Sequence, residues 1–382
     1  MVKRLVIEKF GQQIQPSLLF SLGSRMGATA KQINLKNLNV MKKTLKLMAA
    51  LFVGAMFMGA CQQAEEPAVE PGQTDAVVTR TYGDKTPKIA IYVETNDVNP
   101  LNAGDYVLPN GEPYADIVEL FAANIHKRTV NGVTEPVLYL NDKMTNLMEN
   151  GGYLNYIKPL QDKGIKVLLT VLGDWQGIGV ANMNDTQATQ FAQILAYTVE
   201  RYGLDGIGFD DEYANYNTAL VNGSFGNIIL KLRNLMPEGK LITVFEFGNY
   251  GSSQINATAA EAIDYVYSNF GYNTYIGVYG LGKSQYAPLS INLGYYYSQV
   301  QINRYATNAW NAQNGGYGAI MHFNLRRTSD VDPTSLFDAI AYELWEDSVS
   351  VASTPSNAGD RPQDWTFVTG GHDITMDDVN AQ

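Results

Sequence analysis

Four carboxylates fall within the stretch YGLDGIGFDDEYANY, residues 202–216: Asp205, Asp210, Asp211 and Glu212. The order Ile207, Gly208, Phe209, Asp210 alternates as a strand does. Ile207 and Phe209 then point to one face, and Gly208, Asp210 and Glu212 to the other. Carboxylates two residues apart on one face stand about 6.5–7 Å apart at Cα. Such a pair suits acid–base chemistry, with Glu212 outermost and Asp210 one layer deeper. A solvated acidic loop, the ordinary reading of clustered acids, has no need of the alternating Ile207 and Phe209. Asp205, at the head of the stretch, takes a supporting place.

These acids need a scaffold that holds one strand end open to substrate. From Lys88 to about Asp347 short β-rich runs alternate with amphipathic segments. The runs predict strands over 88–94, 116–124, 166–173, 204–210, 241–247, 263–269, 290–297 and 317–324. Over 187–201, Phe191, Ile194, Leu195, Thr198 and Val199 recur at helical spacing and predict one buried stripe. Eight such units predict an α/β fold, a (β/α)8 TIM barrel over residues 88–347, whose chemistry sits at the C-terminal strand ends. The segments after 247 and 270 read as irregular or missing outer helices. No internal repeat of solenoid or propeller length is present.

Composition agrees with one large core: 382 residues, 45% hydrophobic and 11% aromatic. The 24 Tyr and 4 Trp suit either core filling or sugar-stacking surfaces. Net charge is −11, yet nine of the 27 Lys/Arg lie in residues 1–60 against one glutamate, so the remainder is more acidic still. A surface of that sign repels phosphate backbones and argues against nucleic acid as a partner. One cysteine, Cys61, excludes an internal disulfide and a multi-cysteine metal site. His126, His322 and His372 are scattered, so a zinc site is not expected and each reads as a surface or packing residue.

Around Cys61 the sequence is MKKTLKLMAALFVGAMFMGACQQAEE, residues 41–66. Three lysines, an apolar run from Leu47 to Met58 and the small pair Gly59-Ala60 form a secretory pattern. The run is short of the roughly 20 residues that span a bilayer. Cys61 at the cleavage point resembles the lipobox of bacterial lipoproteins, in which the cysteine is acylated. The predicted organisation is therefore an upstream extension over 1–40, with Met41 as the start, a lipoprotein signal over 41–60 and a flexible tether over 61–87. The barrel follows over 88–347, and then a C-terminal extension over 348–382 that Trp365 and Phe367 are expected to hold against it. The expected location is the outer membrane or surface of a Gram-negative bacterium.

The run DGIGFDDE resembles the Asp-Gly-x-Asp-x-Asp-x-Glu signature of glycoside hydrolase family 18, and most closely its bacterial endo-β-N-acetylglucosaminidases of the H/F type. The resemblance spans residues 88–345 through IAIYVETNDVNPLNAGDY, ADIVELFAANIH, IKPLQDKGIKVLLTVLGDWQGIGVANM, YGLDGIGFDDEYANY and GYGAIMHFNL, in order. It implies hydrolysis of the chitobiose core of N-glycans by substrate assistance: the 2-acetamido oxygen attacks the anomeric carbon while Glu212 protonates the leaving oxygen, and Asp210 orients the acetamide. No cofactor is implied. N-glycans or glycoproteins are the implied partners, with Tyr92, Glu94, Asp174, Trp175, Tyr213, Glu246, Asn269 and Asn324 in the substrate cleft.

Two positions depart from the family pattern. Gly208 stands where the signature has its middle Asp, which is expected to leave Asp210 easier to ionise and less tightly positioned. At the end of strand six the family's Asn-x-Tyr reads Ser268-Asn269-Phe270, leaving Tyr267 or Tyr272 to supply the phenol. Two other functions fit the same residues: a non-catalytic surface glycan-binding protein on a degenerate barrel, and a chitinase.

Overall fold

The computed structural model describes residues 85–216, 219–246 and 251–382. Its barrel strands are β1 (Lys88–Glu94), β2 (Ile117–Val130), β3 (Lys166–Gly173), β4 (Gly206–Asp210), β5 (Leu241–Phe245), β6 (Tyr265–Tyr267), β7 and β8 (Ala319–Phe323). Pro288, which lacks the N–H a central strand needs, divides β7 into Tyr286–Ala287 and Leu289–Asn292. The first half pairs with β6 and the second with β8, while β8 pairs with β1, all in parallel, so the ring closes. The predicted (β/α)8 barrel is the observed fold, irregular where expected.

Alternation divides the strands into two cores. Ala90, Tyr92, Leu168, Phe245, Tyr267 and Met321 are among the residues that fill the bore. Ile89, Ile91, Val118, Val167, Ile207, Phe209 and Val244 face outward into a larger core shared with the helices. Those helices include α1 (Asp142–Met148), α2 (Lys158–Gln161), α3 (Asp185–Arg201), α4 (Ser224–Leu235), α5 (Ala257–Glu261), α6 (Gln299–Asn314) and α7 (Thr334–Trp345). Asn184 and Gln187 form a capping box that starts α3, and its predicted stripe Phe191, Ile194, Leu195, Thr198 and Val199 is buried. After β5 the α-helix is only five residues long, and among the described residues between β6 and β7 the one helical segment is the 3-10 turn Lys283–Gln285.

Two strand expectations change. The second strand runs on past residue 124 to Val130 and turns at Asn131-Gly132 into an antiparallel partner, Val133–Leu140. Both turn residues have positive φ, as a two-residue hairpin requires. The seventh strand begins at Tyr286 and ends at Asn292, not 297; Tyr295 and Tyr296 are exposed instead. The aromatic run there has strand-like composition but lies beyond the strand's end.

Residues 348–382 pack onto the barrel. Arg361 forms a two-pronged ion pair with buried Asp105, at 2.9 and 3.0 Å. Gln363 donates to the Thr95 carbonyl, and Trp365 is buried with its ring 5.4 Å from Tyr156. Phe367, expected to share that role, is exposed. His372–Ile374 adds a third strand beside Leu138–Leu140.

Candidate active site

β4 carries the chemistry to the mouth of the barrel. Ile207 and Phe209 are buried outward, Phe209 against Phe225 of α4, which turns Gly208 and Asp210 into the bore. Asp210 ends the strand and is buried; Glu212, two residues on, is partly exposed. Beyond the β3–β4 ladder, Gly173 N–H donates to the Glu212 carbonyl at 2.9 Å and Trp175 N–H to the Tyr213 carbonyl at 2.6 Å, so both strand ends are held at the mouth. Trp175 and Tyr213 both sit at φ 58°, a backbone region that non-glycine residues occupy mainly where function or packing requires it. Their exposed rings lie 5.4 Å apart beside Glu212. Burial raises the Tyr213 phenol, and the charges of Glu212, Asp210 and Glu94, which ends β1, push it the same way.

Burial pushes the Asp210 carboxyl well above its ordinary range, and the charges of Glu212 and Asp211 push it further. Burial also raises Glu212, partly offset by a hydrogen bond from the Tyr213 phenol. Asp211 is raised by burial and held by the Tyr216 hydroxyl at 2.5 Å. A proton donor must carry its proton before it acts, so the direction at Glu212 suits a general acid. Gly208 removes one like-charge neighbour from Asp210, yet burial and the two remaining acids still hold its carboxyl high.

Beneath Asp210 the bore is polar. Tyr92 and Tyr267 meet edge-on, with ring centroids 5.8 Å apart, and the Tyr267 hydroxyl donates to Glu119 at 3.4 Å. Tyr267 is thus fully buried, whereas Tyr272 is partly exposed in a short strand paired antiparallel to Leu289–Ser290. Phe270, in place of the family's tyrosine, has its ring 5.7 Å from Phe245 and 5.3 Å from Phe323. Asn269 shares the parity of Tyr267, and its Oδ1 is buried with no partner among the described residues.

Other expected site residues hold contacts of their own. Asp205 sits at the N-terminal end of β4, opposite Glu212, where it accepts from Val167 N–H at 3.0 Å, Gln161 at 2.8 Å and Lys166 at 3.2 Å. It ties β4 to β3 and supports the strand, not the reacting atoms. Glu246 has the opposite parity to bore-facing Phe245 and accepts from the Tyr286 hydroxyl at 3.4 Å. Asp174 lies 2.9 Å from His126 Nε2, whose ring stacks on Tyr139. Asn324 donates to Asn292 Oδ1 at 3.2 Å and joins the ends of β7 and β8. Cys61 lies outside the described residues.

Sequence reasoning passed over Glu119, fully buried in the bore and bonded to Thr170, Thr243 and Tyr267. Its signal was an acid in the middle of DIVELFAAN, a run apolar on both faces.

A barrel with paired acids at the end of its fourth strand defines a glycosidase-type centre, and comparison with known proteins specifies it. No protein-family model matches the chain. It is 33% identical over 283 residues to endo-β-N-acetylglucosaminidase F1 of Elizabethkingia meningoseptica, covering 70% of this chain and 81% of that protein. Against the endo-β-N-acetylglucosaminidase of a Flavobacterium species it is 35% identical over 274 residues, covering 69% and 81%. Among solved structures it is similar to EndoBT-3987 of Bacteroides thetaiotamicron with a Man5GlcNAc product, at TM-score 0.61 and 28% identity over 74% of this chain and 66% of that one. The same enzyme with a Man9GlcNAc2Asn substrate matches at TM-score 0.59 and 26% identity, over 74% of this chain and 71% of that one. The chain belongs to the endo-β-N-acetylglucosaminidases of glycoside hydrolase family 18.

Proposed function

We propose that the chain hydrolyses the β-1,4 bond between the two GlcNAc residues of the N-glycan core, with retention and through an oxazolinium intermediate. The observation that carries this reading is the placement of Asp210 and Glu212 on the bore side of one strand end, the outer acid at the mouth and the inner one buried. In the first step the substrate's acetamide oxygen displaces the leaving sugar while Glu212 gives its proton to the departing oxygen. Glu212 then takes a proton from the water that opens the ring. Asp210 faces the acetamide and stabilises its growing positive charge. The relatives' names and the high-mannose glycans named with EndoBT-3987 support an N-glycan substrate over chitin.

Incubation with a high-mannose glycoprotein, followed by mass analysis, is expected to yield glycan ending in a single GlcNAc and protein retaining the other. Intact glycoprotein that nevertheless binds would favour the glycan-binding alternative.

The sequence around Cys61 supports a lipid anchor at the surface of a Gram-negative bacterium, and access to glycans too large to cross an outer membrane would follow. Cys61→Ser removes the acylated atom, and its product is expected to leave the detergent phase on partition. A variant that stays in that phase is held by something else.

A further inference from the structure

We propose that Glu119 is a positioning residue of this hydrolase centre: reaching from β2, its carboxylate fills the space that Gly208 leaves on β4 and supplies the buried acid that the family signature carries on β4 itself. The inference rests on the hydrolase reading and adds a residue to it.

The geometry is specific. A Cβ placed on Gly208 would lie 2.3 Å from Glu119 Oε2, 3.0 Å from its Cδ and 2.9 Å from Thr243 Oγ1. All three distances are at or inside contact limits, so a side chain at 208 requires the Glu119 carboxylate to leave its present place. Thr170 and Thr243 are the register partners of Gly208 on its two neighbouring strands. Each donates its hydroxyl to Glu119, at 2.9 and 2.6 Å, and the Tyr267 phenol adds a third bond at 3.4 Å. The carboxylate is thus held across the bore by groups from β3, β5 and β6, one interior layer below Asp210. Tyr92, its neighbour on β1, feels Glu119, Tyr267 and Asp210 together.

Space filling alone does not account for an acid here. Small barrels fill their bores with apolar side chains. A buried carboxylate without a cation costs stability that an apolar residue would not, and no Lys, Arg or His is among the groups that shift Glu119. Burial, offset by the three hydroxyls, raises its carboxyl to about 7. Below that pH it is neutral and leaves Asp210, the nearest acid above it on β4, free to take up charge. Above it, an added negative charge opposes ionisation of Asp210. Among the described residues the groups facing it are Tyr92, Thr170, Thr243 and Tyr267, with Asp210 above.

The test relocates the acid. Wild-type turnover is measured first; an inactive wild type would overturn the hydrolase reading and is distinct from failure of this inference. With active wild type, Glu119→Ala is expected to lower kcat by about 10²-fold, the scale of a small misplacement of catalytic groups. Adding Gly208→Asp to Glu119→Ala is expected to restore at least a tenth of wild-type kcat, whereas Gly208→Val in the same background, an apolar filler, is not. Equal recovery with Asp and Val, or none with Asp in a folded protein, would overturn the assignment. Glu119→Gln, neutral at every pH, is expected to move the alkaline limb of the kcat profile upward, and an unmoved limb would count against coupling to Asp210. Thermal midpoints give an arm independent of activity: Gly208→Asp is expected to destabilise the wild type but not the Glu119→Ala variant. Equal effects in both backgrounds would show that the two side chains do not share one space.

Discussion

Glu212→Gln is expected to reduce turnover on an N-glycoprotein by at least about 10²-fold while leaving binding of the intact glycan within a few-fold of wild type, since general acid–base groups contribute about 10²–10⁴-fold. Glutamine keeps the shape and the hydrogen bond with Tyr213 but has no proton to give. The pH dependence follows from the raised Glu212 carboxyl. The acid form persists to higher pH than in a free glutamate, and activity that requires it falls as pH rises through the folded value. In Glu212→Gln the part of that limb due to Glu212 should be lost from whatever residual rate remains, leaving only the contribution of Glu119. Single-turnover assays across pH, with binding by titration, measure both. Wild-type turnover in this variant, or an unchanged limb, would remove Glu212 from the donor's place.

Much of this was legible in the sequence because the side-chain period of a strand is two and barrel chemistry gathers at one end. Ile207 and Phe209 fixed the face on which Gly208, Asp210 and Glu212 point, and the structure buries both outward. Tyr92 and Glu94 share one parity on β1 and follow the same rule, whereas Trp175 and Tyr213 have the opposite parity to the bore residues of their strands and come to the mouth through loop backbone at φ 58°. Glu246 follows β5 by one residue, so parity turns it away from Phe245, and it accepts from the Tyr286 hydroxyl. Asp205 shared the acidic stretch with Glu212 yet lies a full strand length away, at the end where α/β barrels keep stabilising contacts and not catalysis.

What the sequence withheld depended on contacts between segments far apart in the chain. Glu119 and Gly208 are 89 positions apart, and nothing local to either indicates that one side chain occupies the other's space. The Asn131-Gly132 turn was readable as a hairpin signal, but the length of β2 beyond the ring was set by a partner, Val133–Leu140, that also receives His372–Ile374 from the C-terminal segment. The exposed Tyr295 and Tyr296 illustrate the reverse case: strand-forming residue types can lie outside a sheet, because β-propensity yields to tertiary context. A lone acid inside an apolar strand is the feature that most merited pursuit, because burying it is costly unless a specific set of donors receives it.

Asp210→Asn separates catalysis from binding at the inner carboxylate. In the empty site, burial and the charges of Glu212 and Asp211 favour a protonated Asp210. As positive charge grows on the acetamide, coulombic attraction reverses that preference, and the ionised form is worth most at the transition state. Asparagine still occupies the same volume and can hydrogen-bond the acetamide, but it cannot become an anion. The substitution is therefore expected to lower kcat by about 10²–10³-fold, the range seen when one group that meets developing charge is removed. KM and the affinity for intact glycan should change little, since neither ground state carries the charge. Stability gives a second reading with its sign fixed by linkage. The folded pKa of Asp210 is raised above its unfolded value, so the wild type loses stability as pH rises from the ordinary aspartate range toward the folded value, and the variant lacks that loss. The difference in thermal midpoint, variant minus wild type, should accordingly grow between about pH 4 and neutrality. Equal losses of kcat and affinity, or a midpoint difference that is flat across that range, would mean that Asp210 holds the glycan or the fold without acting on the transition state.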